Sequence, residues 1–409
     1  MRVLYRILGL LLAGLTAFVS TGLFGMTAFS DRETAAFTEK TDGFIAGVCH
    51  PDTDYDAICG ANLGWVREDL PVPVDADGNV TLWYQMWKEE MRAYVDRGIK
   101  LYVITPNPRD YLAFGIDFRT PEGEALIRSA ARFLMEDLQG FASAVQVANE
   151  QGVDRFTLPF TMDQSARFIG VQLEEMYPLR EDIVIGYNLG GPGFWQLPLR
   201  MRKYADVTDY IGVDLYLGSF DPVTKTLGEY TALLRLVRVL TRKPIILSEF
   251  GYIGYGESKS ELEKMQILQQ YGFSTELQAR ADIDTFISRL PDALREEIER
   301  NYAGLSAKEK GDLVFNTEYA QHIYKELGDD FQLYRYAHTP DGQADFYKDL
   351  IPKIKKLSFV TGMFIYCWSD SDHCYVCGQP DCPVETGWGL VDGQGVPKPA
   401  FYAVRDALA

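Results

Sequence analysis

The chain has 409 residues, 47% of them hydrophobic, which is enough for a full buried core and for an α/β barrel built as one domain. Lys and Arg number 40 against 58 Asp and Glu, a formal net charge of −18. A field of that sign repels phosphate backbones and anionic headgroups, so nucleic acid is excluded as a partner.

At the N-terminus, Arg2 and Arg6 precede an uncharged run, Ile7–Ser30, rich in Leu, Gly, Ala and Phe. Positive residues ahead of an apolar core mark an export signal, and Ala28 and Ser30 offer a small-x-small cleavage site before Asp31. The run is 24 residues long. A signal core is roughly 7–15 residues, whereas about 20 apolar residues span a bilayer. Residues 1–30 are therefore read as a signal peptide or an N-terminal membrane anchor. Either way the domain over 38–409 is expected outside the cytoplasm, touching a membrane only through such an anchor.

Eight short β-branched or apolar runs then alternate with helical stretches. They are Gly43–His50, Asn62–Leu70, Ile99–Asn107, Val145–Gln151, Asp182–Leu189, Tyr210–Leu217, Lys243–Tyr252 and Val360–Asp370. Trp83, Trp87, Met91 and Tyr94 recur at helical spacing before the third run, and Glu122–Leu138 reads as a helix before the fourth. Continuous apolar runs such as Ile245-Ile246-Leu247 suit parallel strands covered on both faces. The order predicts a (β/α)8 TIM barrel closed by a helix from Pro399. No Gly-rich phosphate loop follows the first run, which argues against an open doubly wound sheet. Residues 253–359 read as a helical insertion between strands 7 and 8, with Ala293–Tyr302 and Glu318–Leu327 as solvated helices over the rim.

The chain has 6 cysteines, a number that fits an oxidising compartment. Cys49 and Cys59 flank a short loop, and Cys374, Cys377 and Cys382 cluster downstream of Cys367. Disulfide bonds are the favoured reading. His373 with the three clustered thiols would alternatively make a tetrahedral zinc set. His50, His322 and His338 are widely scattered, so no catalytic metal and no cofactor is expected.

Active sites of β/α barrels sit at the carboxyl ends of the strands. The fourth run ends in Asn149-Glu150 and the seventh in Ser248-Glu249-Phe250-Gly251. Two carboxyls facing across a barrel mouth can do double-displacement chemistry on a glycosidic bond, which needs them about 5–5.5 Å apart. These two segments resemble clan A glycoside hydrolases, with families 5 and 39 the nearest in flavour. Gly64-Trp65-Val66-Arg67-Glu68-Asp69 looks like the clan segment whose Arg hydrogen-bonds the nucleophile, and Tyr216 and Trp368 fall where members place a Tyr beside it and a Trp beneath the sugar.

The resemblance implies Glu150 as acid/base and Glu249 as nucleophile of a retaining enzyme that cleaves β-linked poly- or oligosaccharide. Arg67, Asn149, Tyr216 and Trp368 would bind around them, with Asn149 hydrogen-bonding the sugar 2-hydroxyl. Trp195 and Tyr252, with Tyr255 and Trp388, are further candidates for lining the cleft. The chain departs from the clan in Ala148-Asn149-Glu150-Gln151, where relatives carry Trp-Asn-Glu-Pro, and in Asp214-Leu215-Tyr216, where a His often precedes the Tyr. A transglycosylase of the same fold and a non-catalytic carbohydrate-binding barrel in an envelope polysaccharide system are the alternatives. A monomer with a carbohydrate substrate is expected.

Overall fold

The computed structural model describes residues 32–51, 53–220, 223–327 and 336–409. The expected signal or anchor over 1–30 lies outside the described residues. Among the described residues no helix is long and apolar enough to cross a membrane.

Eight parallel strands close in chain order into a barrel. They are β1 (Ile45–Cys49), β2 (Trp65–Asp69), β3 (Lys100–Ile104), β4 (Ala144–Gln146), β5 (Val184–Leu189), β6 (Tyr210–Leu215), β7 (Ile245–Phe250) and β8 (Val360–Ile365). All eight predicted runs overlap a strand, the fourth starting one residue late, and helices lie between them, so the structure is the predicted (β/α)8 barrel. Successive residues of each strand alternate between two apolar layers. Ile45, Trp65, Tyr102, Tyr210, Ile246 and Phe364 fill the interior, and neighbours such as Val66, Leu101, Val145 and Leu247 pack outward beneath the helices. Phe37, from the helix Arg32–Lys40, closes the amino end of the barrel with its ring 5.7 Å from that of Tyr210.

The helix Leu82–Val95 buries Tyr84, Trp87, Met91 and Tyr94. Trp83 is 64% exposed, so the buried stripe starts one residue later than the predicted face. Both start positions satisfy helical spacing, and the barrel surface selects between them.

The long segment between β7 and β8 has two parts. The helix Pro340–Lys355 is the ordinary crossover, and its Phe346, Leu350, Ile351 and Ile354 join the main core. The six helices over Glu261–Tyr324 bury a separate core. Leu268, Phe286, Leu294, Ile298, Val314 and Ile323 pack there with Cys374, Cys377, Cys382 and Trp388 from the loop after β8. The helices expected as solvated thus have one face committed to an apolar cluster.

The disulfide expectation is corrected. All six cysteines are free. Cys49 is buried in the barrel interior, where its Sγ lies 3.7 Å from Arg67 Nη1, while Cys59 is exposed on the short helix that follows β1. The thiols of Cys374, Cys377 and Cys382 converge on His322 rather than on one another as bonded pairs. His373, the sequence candidate for that group, is exposed and pairs with Asp372.

Candidate active site

Glu249 owes its direction to an irregularity in β7. Leu247 stands opposite Val213, yet Glu249 stands opposite Asp214, so Ser248 is an extra residue in the strand. Strict alternation would turn Glu249 away from the interior, as it does Leu247. The bulge turns both Ser248 and Glu249 inward, which is the re-aiming that bulges near functional sites perform.

Once there, Glu249 is held on both sides. The Arg67 guanidinium, from β2, is ion-paired to it, with the two side chains 1% and 8% exposed. The Tyr216 hydroxyl donates to its other oxygen. Burial would by itself lower the Arg67 pKa, but Glu249 overrides it and keeps the guanidinium charged. Burial, and then Glu249, hold the Tyr216 hydroxyl well above the ordinary range, so it remains a donor. A buried pair of this kind stabilises more fully the more of its remaining donors are used. Arg67 Nη2 donates to Gln146 at 3.1 Å and to Asn149 at 2.9 Å, while Nε is buried without a partner.

Glu150 lies on the turn after β4, where Ala148 and Glu150 adopt positive φ, 60° and 41°. Side chains from neighbouring strand ends hold this strained turn. Thr105 Oγ1 accepts from the Ala148 amide at 3.1 Å, Asn107 Oδ1 from Asn149 at 2.8 Å and Asn188 Oδ1 from Glu150 at 2.9 Å. The Glu150 carboxyl rests on the backbone of Gly190, where a β-carbon would lie 2.2 Å from its Oε1. Among the described residues none donates a hydrogen bond to that carboxyl. Burial, and then the Glu249 charge, push it up to about 8.

The two carboxyls are therefore treated in opposite ways. One is neutralised by a cation and a donor; the other is left without either beside a negative charge.

The network continues to residues that sequence reading passed over. Asn188, at the end of β5, donates to Asn149 at 2.8 Å and to Asp214 at 2.5 Å. Asp214 also accepts from Ser248 Oγ at 2.6 Å, and burial followed by Glu249 holds its carboxyl well above the usual range. Asp214 thus ties β5, β6 and β7 together. The rule that located the glutamates, a polar residue at a strand's carboxyl end, also points to both of these.

The aromatic candidates separate. Trp368 is 1% exposed and packs edge-on against Phe401, in the layer beneath the last helix rather than beside the carboxyls. Tyr366, two residues earlier, has its ring 5.7 Å from Tyr216 and 5.5 Å from His50 and remains part-exposed. Its hydroxyl donates to Glu385 at 3.2 Å, and Arg155 and Tyr375 complete that group. Tyr252 is buried against Phe346 with its hydroxyl on the Tyr336 carbonyl, outside the barrel. Tyr255 pairs through its hydroxyl with Thr386. Trp388 is buried and backs Tyr216 at 5.1 Å. Trp195 is 40% exposed on the turn after β5.

No protein-family model matches the sequence, and no curated protein matches it. Solved structures do resemble the barrel. The GH53 catalytic domain of Ignisphaera aggregans has a TM-score of 0.52 at 14% identity, over 92% of this chain and 94% of that one. A GH2 beta-galacturonidase from Eisenbergiella tayi bound to glycerol has a TM-score of 0.50 at 11% identity, over 90% of this chain and 50% of that one. The beta-glucuronidase of Bacteroides uniformis has a TM-score of 0.50 at 10% identity, over 90% of this chain and 35% of that one. This chain spans half or less of the two longer enzymes. At such identities the likeness establishes the fold alone.

Proposed function

We propose that the chain is a retaining glycoside hydrolase acting on β-linked poly- or oligosaccharides, with Glu249 as nucleophile and Glu150 as acid/base. The observation that carries this reading is the opposite electrostatic treatment of two carboxyls at the ends of β4 and β7. Glu249, charged and paired with Arg67 and Tyr216, is ready to attack an anomeric carbon. Glu150, raised to about 8, keeps its proton at neutral pH and can give it to the departing glycosidic oxygen. In the second step Glu150, now ionised, takes a proton from water as that water displaces Glu249.

Asn149 suits the sugar 2-hydroxyl. Its Oδ1 already accepts from Arg67, Gln146 and Asn188, which leaves Nδ2 as the group free to donate. Tyr366 replaces Trp368 as the aromatic surface next to the pair, and Trp195 offers a further stacking face at the rim. That the structural neighbours are named as glycoside hydrolases agrees with this assignment. The same reading places the enzyme outside the cytoplasm as a monomer, exported or anchored through residues 1–30.

The test uses aryl β-glycosides of glucose, mannose, xylose and galactose carrying good leaving groups. Glu249→Gly should abolish hydrolysis of whichever is cleaved. Glu150→Ala should be rescued by azide, giving the β-glycosyl azide with retained configuration. Wild-type turnover by Glu249→Gly would sink the mechanism.

A further inference from the structure

We propose that His322, Cys374, Cys377 and Cys382 form a structural zinc site that clamps the helical insertion onto the active-site loop after β8. The four side chains come from segments about 50 residues apart in sequence: the helix Tyr319–Tyr324 supplies the imidazole, and the loop after β8 supplies three thiols. All four are buried, and their donor atoms lie within 4.8 Å of one another.

The separations fit a shared metal. Tetrahedral zinc with Zn–S of about 2.3 Å and Zn–N of about 2.0–2.1 Å sets sulfur and nitrogen about 3.6 Å apart. His322 Nδ1 is 3.5 Å from Cys374 Sγ and 3.7 Å from Cys382 Sγ. A disulfide would need two sulfurs at about 2.05 Å and would leave the third thiol and the imidazole without a role.

The backbone is shaped for the same purpose. Cys374 and Cys377 are separated by two residues, and Gly378 follows with φ +69° while its amide donates to the Cys374 carbonyl at 2.7 Å. That turn brings both sulfurs to one side, a spacing common to structural zinc sites. The surroundings are apolar, with Leu294, Ile298, Ile323 and Val376 in the same cluster. Four buried protein donors would fill a tetrahedral shell and leave no open position, which makes the site structural rather than catalytic.

The position has a consequence for the pair of carboxyls. Cys382 opens the segment that contains Glu385 and Trp388, whose partners are Tyr366 and Tyr216; the Tyr216 hydroxyl in turn donates to Glu249. Lys325, at the end of the helix that carries His322, reaches Asp381 at 2.5 Å and ties the insertion to this loop, and within the loop Thr386 Oγ1 donates to the Cys382 carbonyl at 2.6 Å. Zinc binding would release the three thiol protons and add its binding energy to the folding of this half of the molecule. Holding the loop is a positioning role.

The experiment is metal analysis of the full chain purified without chelator, together with a thiol count in denaturant before and after chelation. The expected result is about one zinc per chain, with three additional reactive thiols appearing once the metal is removed. Cobalt(II) in its place should give the intense visible bands of tetrahedral thiolate coordination. His322→Ala and Cys382→Ser should lose the metal, whereas His322→Cys should retain it, which separates loss of a ligand from loss of fold. Three results overturn the proposal: folded protein that neither carries nor takes up zinc, a disulfide among Cys374, Cys377 and Cys382, or full zinc occupancy in the His322→Ala and Cys382→Ser variants.

Discussion

Replacing Glu150 with Gln should stabilise the protein at neutral pH while removing its acid/base function. Burial and the Glu249 charge raise the Glu150 carboxyl from 4.5 to about 8. Below pH 4.5 the folded and unfolded chains both carry this proton, so the group costs nothing there. Between 4.5 and 8 the unfolded chain has lost it and the folded chain has not. Stability therefore falls with rising pH, by about 1.4 kcal/mol per unit in the limit of a group wholly removed from water. At pH 7 that limit is about 3 kcal/mol. The carboxyl opens on the barrel mouth, where water screens it, so an effect of about 1–2 kcal/mol is expected. Glutamine keeps the shape and does not titrate. Urea unfolding followed by tryptophan fluorescence from pH 4.5 to 8.5 should show wild type and Glu150→Gln converging at the acid end and diverging upward, with the variant the more stable. A pH-independent offset, or a variant that grows relatively weaker as pH rises, would refute the placement of a protonated Glu150 in this pocket.

The same titration predicts that wild-type kcat/KM is kept below about pH 8 and lost above it, because the acid is then ionised; a profile flat to pH 10 would contradict this. Gly190→Ala would set a β-carbon 2.2 Å from Glu150 Oε1, so the acid must move. A displacement of about 1 Å should lower kcat/KM by about 10²-fold on an activated glycoside, with Glu249 untouched, and unchanged turnover would show that the carboxyl does not rest on Gly190. Tyr216→Phe removes the hydroxyl donor to Glu249 and should lower kcat about 10-fold with folding preserved, the effect of losing one hydrogen bond to a charged group; far-UV circular dichroism and steady-state kinetics on one preparation separate the two.

Much of the site was within reach of the strand-end rule, and its failures have particular causes. The rule reached Glu150 and Glu249 because each stands at the carboxyl end of a mostly apolar run. It could not say that Glu249 faces inward, since alternation places Leu247 and Glu249 on the same outward face; the extra Ser248 opposite β6 reverses that. Asn188 and Asp214 also end strands, and what identifies them is their bonds to one another and to Asn149 and Ser248. Past β8 the chain leaves the sheet, so the two-residue period no longer decides between Tyr366 and Trp368, and the packing of Phe401 takes Trp368 into the core.

The amino-acid sequence by itself determined the barrel, because strands covered on both faces must be apolar throughout and the helices between them must be apolar on one side. Those are local patterns, each readable within about a dozen residues. Tertiary structure alone decided which groups converge. His322 is the histidine beside the three thiols although His373 adjoins them in sequence, and Arg67 on β2 meets Glu249 on β7, five strands later in the chain. Closure of the barrel and the docking of the insertion create those contacts, and no local period encodes them.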